Sequence, residues 1–328
     1  MNVLYIIGNG LDIAHHMKTS YQDFFKHYLT LPSPDADIEA MKKDIDQHKY
    51  ETWADLEIGM GAYARKCANK DVFLKCLADI KSSLKAYLDK ESEKIADFTT
   101  NSLLSFTNPD TLLEPEPGIR FNAFLNGRRS NYFIDVITLN YTNTLESLLG
   151  YRDSEFQLAP FVSFRSINHL HGTLDNMMVM GVNDSSQIDN PEIRSDEDVI
   201  EEFIKPEYND ACLNNKNSIC EALIQQADII VLYGTSLGQS DDKWWKLIGK
   251  RMETDRYPLL VYLAHDAKKN LASEPNHLRR WTREYVREIK DKFGILLEDR
   301  VLADRVCVAI NKQLFPLIRV RMRTAQTK

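Results

Sequence analysis

Residues 3–10 read Val3-Leu4-Tyr5-Ile6-Ile7-Gly8-Asn9-Gly10. An apolar run without polar interruption reads as a strand buried on both faces, as at the centre of a parallel sheet. A helical pattern follows from about Leu11, so Gly8-Asn9-Gly10 is a strand-to-helix turn. Such a turn lets the backbone approach a pyrophosphate, and the helix N-terminus adds free N–H groups and a positive dipole. The third glycine of the G-x-G-x-x-G fingerprint is missing, Ile13 standing there. An ordinary turn explains the glycine pair equally well.

Working outward, strand-like runs recur at 132–139, 167–170, 177–181, 228–233 and 259–263. Each ends near a Gly, Asn or small polar residue, and most are separated by helical or long connecting stretches. That alternation predicts an α/β fold: a Rossmann-like parallel sheet with helices on both faces. Residues 35–127 read differently. Trp53, Leu56, Met60, Tyr63 and Cys67, then Phe73, Cys76, Ile80, Leu84, Tyr87, Ile95 and Phe98, recur at helical spacing with no strand run between them. We expect a helical insertion subdomain over 35–127, set into a sheet domain of 1–34 and 128–328. Residues 108–118, with Pro109, Pro115, Pro117 and Gly118, read as a loop. The acidic stretch 189–202 reads as a solvated segment that turns helical near its end.

Composition narrows the function. Apolar residues make up 43% and charged residues 27%, which is globular. The net charge of −7 gives no general attraction to nucleic acid. The basic residues Arg279, Arg280, Arg283, Arg287 and Lys290 alternate with Glu284, Glu288 and Asp291, as on a solvated helix face; Arg319, Arg321 and Arg323 follow. The cysteines at 67, 76, 212, 220 and 307 form no C-x-x-C pair, which argues against a disulfide framework and a Cys-rich zinc site. The run at 3–7 is too short for a signal or a membrane span, so a cytoplasmic, reducing location is expected.

Four stretches carry chemistry. The first is the Gly8–Gly10 turn. The second, Thr138-Leu139-Asn140-Tyr141-Thr142, lies at a strand's carboxyl end, where open α/β sheets bind ligands. Asn140 both donates and accepts, so it can hold a carboxamide or a water; it can also simply cap the next helix. The third is His169-Leu170-His171-Gly172. On a strand the two imidazoles share a face, yet no Cys or carboxylate stands beside them to complete a metal site. His171 has the side chain of a general base near neutral pH, and equally of a structural histidine. The fourth, Gly234-Thr235-Ser236-Leu237-Gly238, offers small hydroxyls beside glycine for ribose or phosphate oxygens. Asp241 and Asp242 then open a helix holding Trp244 and Trp245.

The order of these stretches resembles the sirtuin pattern: a G-A-G turn, a T-Q-N-I-D stretch, an H-G pair and a G-T-S-L stretch. In detail the sequence is more similar to the bacteriophage abortive infection AbiH family. The stretches that carry this are IIGNGLDIAHHMKTSYQDF at 6–24, WADLE at 53–57, TLNYTNTLE at 138–146, HLHG at 169–172, GVND at 181–184 and YGTSLGQSD at 233–241.

The resemblance implies a sirtuin-like core that binds NAD as substrate, with no metal. By position, Gly8, Asn9, Gly10, Asp12, Gly234, Thr235, Ser236 and Asp241 would bind the dinucleotide. Asn140 and His171 would be catalytic. His15, Tyr21, Trp53 and Glu57 belong to the AbiH-like pattern without an assigned role. Two departures point away from zinc-dependent deacylation: the zinc module is missing, and Tyr141-Thr142 replaces the sirtuin Ile-Asp. The expectation is an antiphage NAD glycohydrolase, silent until released by oligomerisation or a phage component, and homo-oligomeric. The competing expectation is a non-catalytic sensor of NAD or ADP-ribose. A nucleic-acid effector acting through the Arg-rich end is the least favoured.

Overall fold

A computed structural model describes residues 1–97, 103–125, 131–151, 154–212 and 215–316. Phe98, the expected domain boundary at 127–128, and Arg319, Arg321 and Arg323 lie outside the described residues.

Among the described residues the protein is an α/β fold built on one seven-stranded sheet. Its strands are β1 (Asn2–Ile7), β2 (Tyr132–Thr138), β3 (Phe156–Ala159), β4 (Val162–His169), β5 (Ile229–Tyr233), β6 (Leu259–Ala264) and β7 (Val306–Ile310). Their order is β3-β4-β2-β1-β5-β6-β7. All neighbours are parallel except β3 and β4, which pair antiparallel at one edge. Without that edge strand, the six parallel strands run 3-2-1-4-5-6 in chain order. This is the doubly wound order of dinucleotide-binding sheets, and its winding reverses between β1 and β5.

The continuous apolar run of β1 follows from its central place. Leu4 and Ile6 pack on one face against the helices Lys216–Gln226, Asp242–Met252 and Leu278–Phe293. Val3, Tyr5 and Ile7 pack on the other, against Phe106, Phe121, Leu145 and Leu148. Burying each such side chain contributes about 1.5–3 kcal/mol. A second cluster is built around Trp53 by the helices Tyr21–Tyr28, Ala36–His48, Leu56–Tyr63 and Lys70–Ser92, joined by Met178, Met180 and Phe203. Within 35–127, the helices up to Ser92 therefore pack in this cluster, whereas Phe106, Leu112 and Phe121 cover the sheet.

The run at 177–181 is not a strand. Among the described residues it joins no ladder, and an isolated bridge, Val182 to Ile204, lies just beside it. Met178, Val179 and Met180 are nonetheless buried. An apolar run reports burial, and a buried loop gives the same signal as a buried strand. Residues 108–118 are more ordered than a loop: a 3-10 turn covers Pro109–Leu112, and a helix Pro115–Leu125 begins at Pro115. Proline suits a first helical position, where its missing N–H has no partner to lose. β7 was not anticipated, because it follows the helix Asp299–Arg305 with no Gly or Pro between them. The acidic stretch ends in the helix Glu197–Phe203, as its pattern predicts. Among the described residues no helix is long and apolar enough to cross a membrane.

Candidate functional site

The turn after β1 and the turn after β5 touch backbone to backbone. The Gly8 amide donates to Tyr233 O at 2.9 Å and the Gly10 amide to Gly234 O at 2.8 Å. A Cβ on Gly10 would lie 2.4 Å from the Gly234 Cα, and Gly234 itself sits at φ +67°. These glycines answer first to each other: only bare backbones approach this closely. The Gly10 amide is thereby spent and does not point free at a ligand. Asn9 is committed too, its Nδ2 donating to Thr19 O at 2.8 Å and its Oδ1 accepting from Thr19 Oγ1 at 2.6 Å. It straps the segment after the first helix down onto the turn.

Over this rim opens a cavity of about 720 Å³, within the range of ligand sites. Gly8, Asn9, Gly10, Asp12, Asn140, His171, Gly234, Thr235, Ser236 and Asp241 all line it. Every residue expected from the sequence to form a site is brought to one cavity, at the reversal point of the sheet. Its wall also takes in Tyr21 and Leu88 from the helical layer and His265 and Lys312 beyond β6 and β7.

Three groups in this wall carry buried polar atoms without a hydrogen bond: Asp12 Oδ1, both amide atoms of Asn140 and Thr235 Oγ1. Native interiors leave few such atoms unsatisfied, and each costs about 1–3 kcal/mol. Their convergence on one cavity is what a ligand-binding wall requires.

Asp12 sits on the short helix Gly10–Ala14. Its Oδ2 accepts from Thr142 Oγ1 at 2.7 Å. Burial raises its carboxyl to about pKa 6, against the lowering effect of Thr144, Thr142 and Asn140, and the Glu146 charge adds to the rise. Asn140 helps hold that carboxylate charged, but at a geometry short of a true hydrogen bond. The Asn140 backbone is firmly placed: its N–H donates to Thr138 Oγ1 at 3.2 Å and its carbonyl accepts from His169 Nδ1 at 2.8 Å. Asn140 is not a helix cap; Asn143 precedes the helix Thr144–Leu149.

The two histidines do not share a face. β4 ends at His169, and Gly172 at φ +74° turns the chain. His169 Nε2 lies 2.6 Å from Glu146 Oε1, so both its nitrogens serve to hold the Asn140 loop. His171 turns the other way, its Nε2 lying 3.0 Å from Asp241 Oδ1, in contact but out of hydrogen-bond alignment. Burial, and then the Lys205 charge, lower the His171 pKa, opposed by Asp241. The imidazole is therefore neutral at pH 7 and able to take a proton.

Lys205 is the residue that sequence reading missed. Its ammonium is buried and donates to Glu57 Oε2 at 2.8 Å, Asp241 Oδ1 at 3.0 Å and Ser240 O at 3.0 Å. Glu57 reaches on to the Gly181 amide at 3.2 Å. Burial pushes Glu57 up even with Lys205 beside it. Lys205 and then His171 hold Asp241 well below the usual carboxylate range despite its burial. The chain Glu57–Lys205–Asp241–His171 thus ties the helical layer to the wall of the cavity. Glu57 and Asp241 were visible in the AbiH-like pattern. Lys205, one lysine before Pro206 in a charged stretch, carries no mark of burial. Of the other pattern residues, Trp53 is core, its Nε1 donating to Asp44 Oδ2 at 3.0 Å. His15 Nδ1 pairs with Leu11 O at 2.8 Å.

Among the described residues no group of three or more His, Cys, Asp or Glu could hold a metal ion. A family model described as bacteriophage abortive infection AbiH matches residues 4–262, well over half of the chain. No curated protein matches it.

Proposed function

The chain belongs to the bacteriophage abortive infection AbiH family, and from that premise we propose that it acts by cleaving NAD at the nicotinamide–ribose bond. The observation that carries this reading is the set of unpaired buried groups in one cavity, at the point where a doubly wound sheet receives a dinucleotide. Asn140 pairs with the carboxamide or with the attacking water. Thr235 and Ser236 meet the diphosphate and ribose oxygens, since the Gly10 amide is occupied. His171, neutral and steadied by Asp241, which Lys205 holds in turn, is the base.

In the reaction the C1′–N1 bond breaks with both electrons going to the ring nitrogen, and neutral nicotinamide leaves. His171 accepts a proton from water as the water oxygen bonds to C1′, giving ADP-ribose. A positioned base supplies about 10²–10⁴-fold and orientation supplies more.

Incubation of purified protein with NAD tests the reading. Free nicotinamide and ADP-ribose should appear in equal amounts. Asn140→Ala and His171→Ala should each lower the rate by at least about 10²-fold with the fold intact by circular dichroism. Parental rates in both variants would overturn the mechanism. The wall from the helical layer, Tyr21 and Leu88, also suits a sensor whose helices report occupancy; tight binding of NAD without product would favour that reading.

A further inference from the structure

Asp12, Glu57 and Asp241 line the cavity, and they are not equivalent. Glu57 and Asp241 share the ammonium of Lys205. Asp12 has no such partner. Thr142 donates to its Oδ2, Thr144 and Asn140 favour its charged form without bringing a charge, and the charge that acts on it, Glu146, is negative and already paired with His169. Asp12 is 1% exposed, and its unpaired Oδ1 belongs to a residue of the cavity wall. An ionised carboxylate out of water without a counter-charge is costly, and a cation entering beside it relieves that cost. The neighbouring Asn140 amide is likewise unpaired and offers one donor and one acceptor to a planar amide. A carboxylate beside a free amide is complementary to a flat cationic ring bearing a carboxamide.

We infer that Asp12 is a specificity-determining residue: it selects the cationic, oxidised nicotinamide of NAD⁺ over the neutral dihydronicotinamide of NADH. This rests on the reading of the cavity as an NAD site and names the redox form it takes. NAD⁺ and NADH share their adenosine, diphosphate and riboses, so only the ring charge and pucker separate them. Discrimination between them reports on the carboxylate. The same charge remains useful through bond breaking, because the positive charge passes from the ring to the ribose carbon and does not leave the cavity until water adds.

The test is binding in the His171→Ala chain, which lacks the base and leaves the ligand intact during equilibrium dialysis at about pH 8. NAD⁺ should bind about 10- to 100-fold more tightly than NADH, the size expected for one charge pair at intermediate dielectric. Adding Asp12→Asn should bring the ratio close to unity, chiefly by weakening NAD⁺, whereas adding Asn140→Ala should weaken both forms alike. Equal affinities with Asp12 in place, or an undiminished ratio after Asp12→Asn, would overturn the inference while leaving the dinucleotide site standing. Binding of neither form would remove the NAD reading and the inference with it. Should Asp12→Asn fail to fold, competition with Asp12 in place keeps the question open to refutation. The N1-methylnicotinamide cation must displace NAD⁺ at lower concentration than neutral nicotinamide, and the reverse order contradicts a selective carboxylate.

Discussion

Asp12 is held in the folded chain at a cost that pH can reveal. Burial raises its pKa from 3.8 to about 6. Between those values the folded chain binds a proton that the unfolded chain has lost. Stability therefore falls as pH rises through that window and stays lower above it, by about 3 kcal/mol for a shift of about two units. Asp12→Asn removes the titrating group. The variant should unfold at higher denaturant than the parent at about pH 8 and at the same denaturant near pH 4. Coincident curves at pH 8 would show that the carboxylate carries no burial cost. A site residue that destabilises its own fold is the expected mark of a group placed for a ligand. His171 shows the opposite sign for a base: burial and Lys205 lower its pKa. The acid limb of the pH–rate profile should lie below the ordinary histidine range. Lys205→Arg should preserve that limb, and a displaced limb there would argue that Lys205 acts on Asp241 through more than its charge.

Among the elements, two contacts hold the site together. The first is the meeting of the turns after β1 and β5. Gly10→Ala drives a methyl to 2.4 Å from the Gly234 Cα, and should cost about 1–3 kcal/mol by overpacking, seen as a lower unfolding midpoint. The second is the buried ion network. Lys205→Met leaves Glu57 and Asp241 facing one another without a cation and should cost about 3–5 kcal/mol. Adding Glu57→Gln should return part of that loss; no return would mean that the two carboxylates do not share the ammonium. The two contacts differ in how far the sequence displayed them. β1 with Gly8 and Gly10 was readable because a continuous apolar run and a strand-end glycine are local signals. Their reason was not: the glycines serve Gly234, more than two hundred residues away, before any phosphate. Asn140, His171 and Thr235 follow strand ends, which a doubly wound sheet gathers at one rim, but their roles, and the choice of Asp241, came from the family resemblance. Lys205 was invisible because burial of a lysine is decided by Glu57 and Asp241 from distant segments. The 177–181 run misled for a related reason, its apolar residues being buried between layers rather than in the ladder.

At the scale of the whole molecule, the helices around Trp53 and the sheet meet at Glu57, Lys205 and Tyr21, so movement of the helical layer changes the wall of the cavity. For a member of an abortive-infection family this joint is a natural place to hold the site silent in uninfected cells. We propose release by assembly of several copies or by a phage component. NAD in cells carrying the protein should stay level until infection and then fall; a protective response with an unchanged NAD pool would separate the defence from NAD cleavage. The NAD reading requires a dinucleotide in the cavity between the turns after β1 and β5. The structure of the His171→Ala chain solved with NAD measures it directly. The nicotinamide should lie between Asp12 and Asn140, with the diphosphate against Thr235 and Ser236. NAD bound elsewhere on the chain, or a cavity that stays without it at saturating concentration, would contradict it.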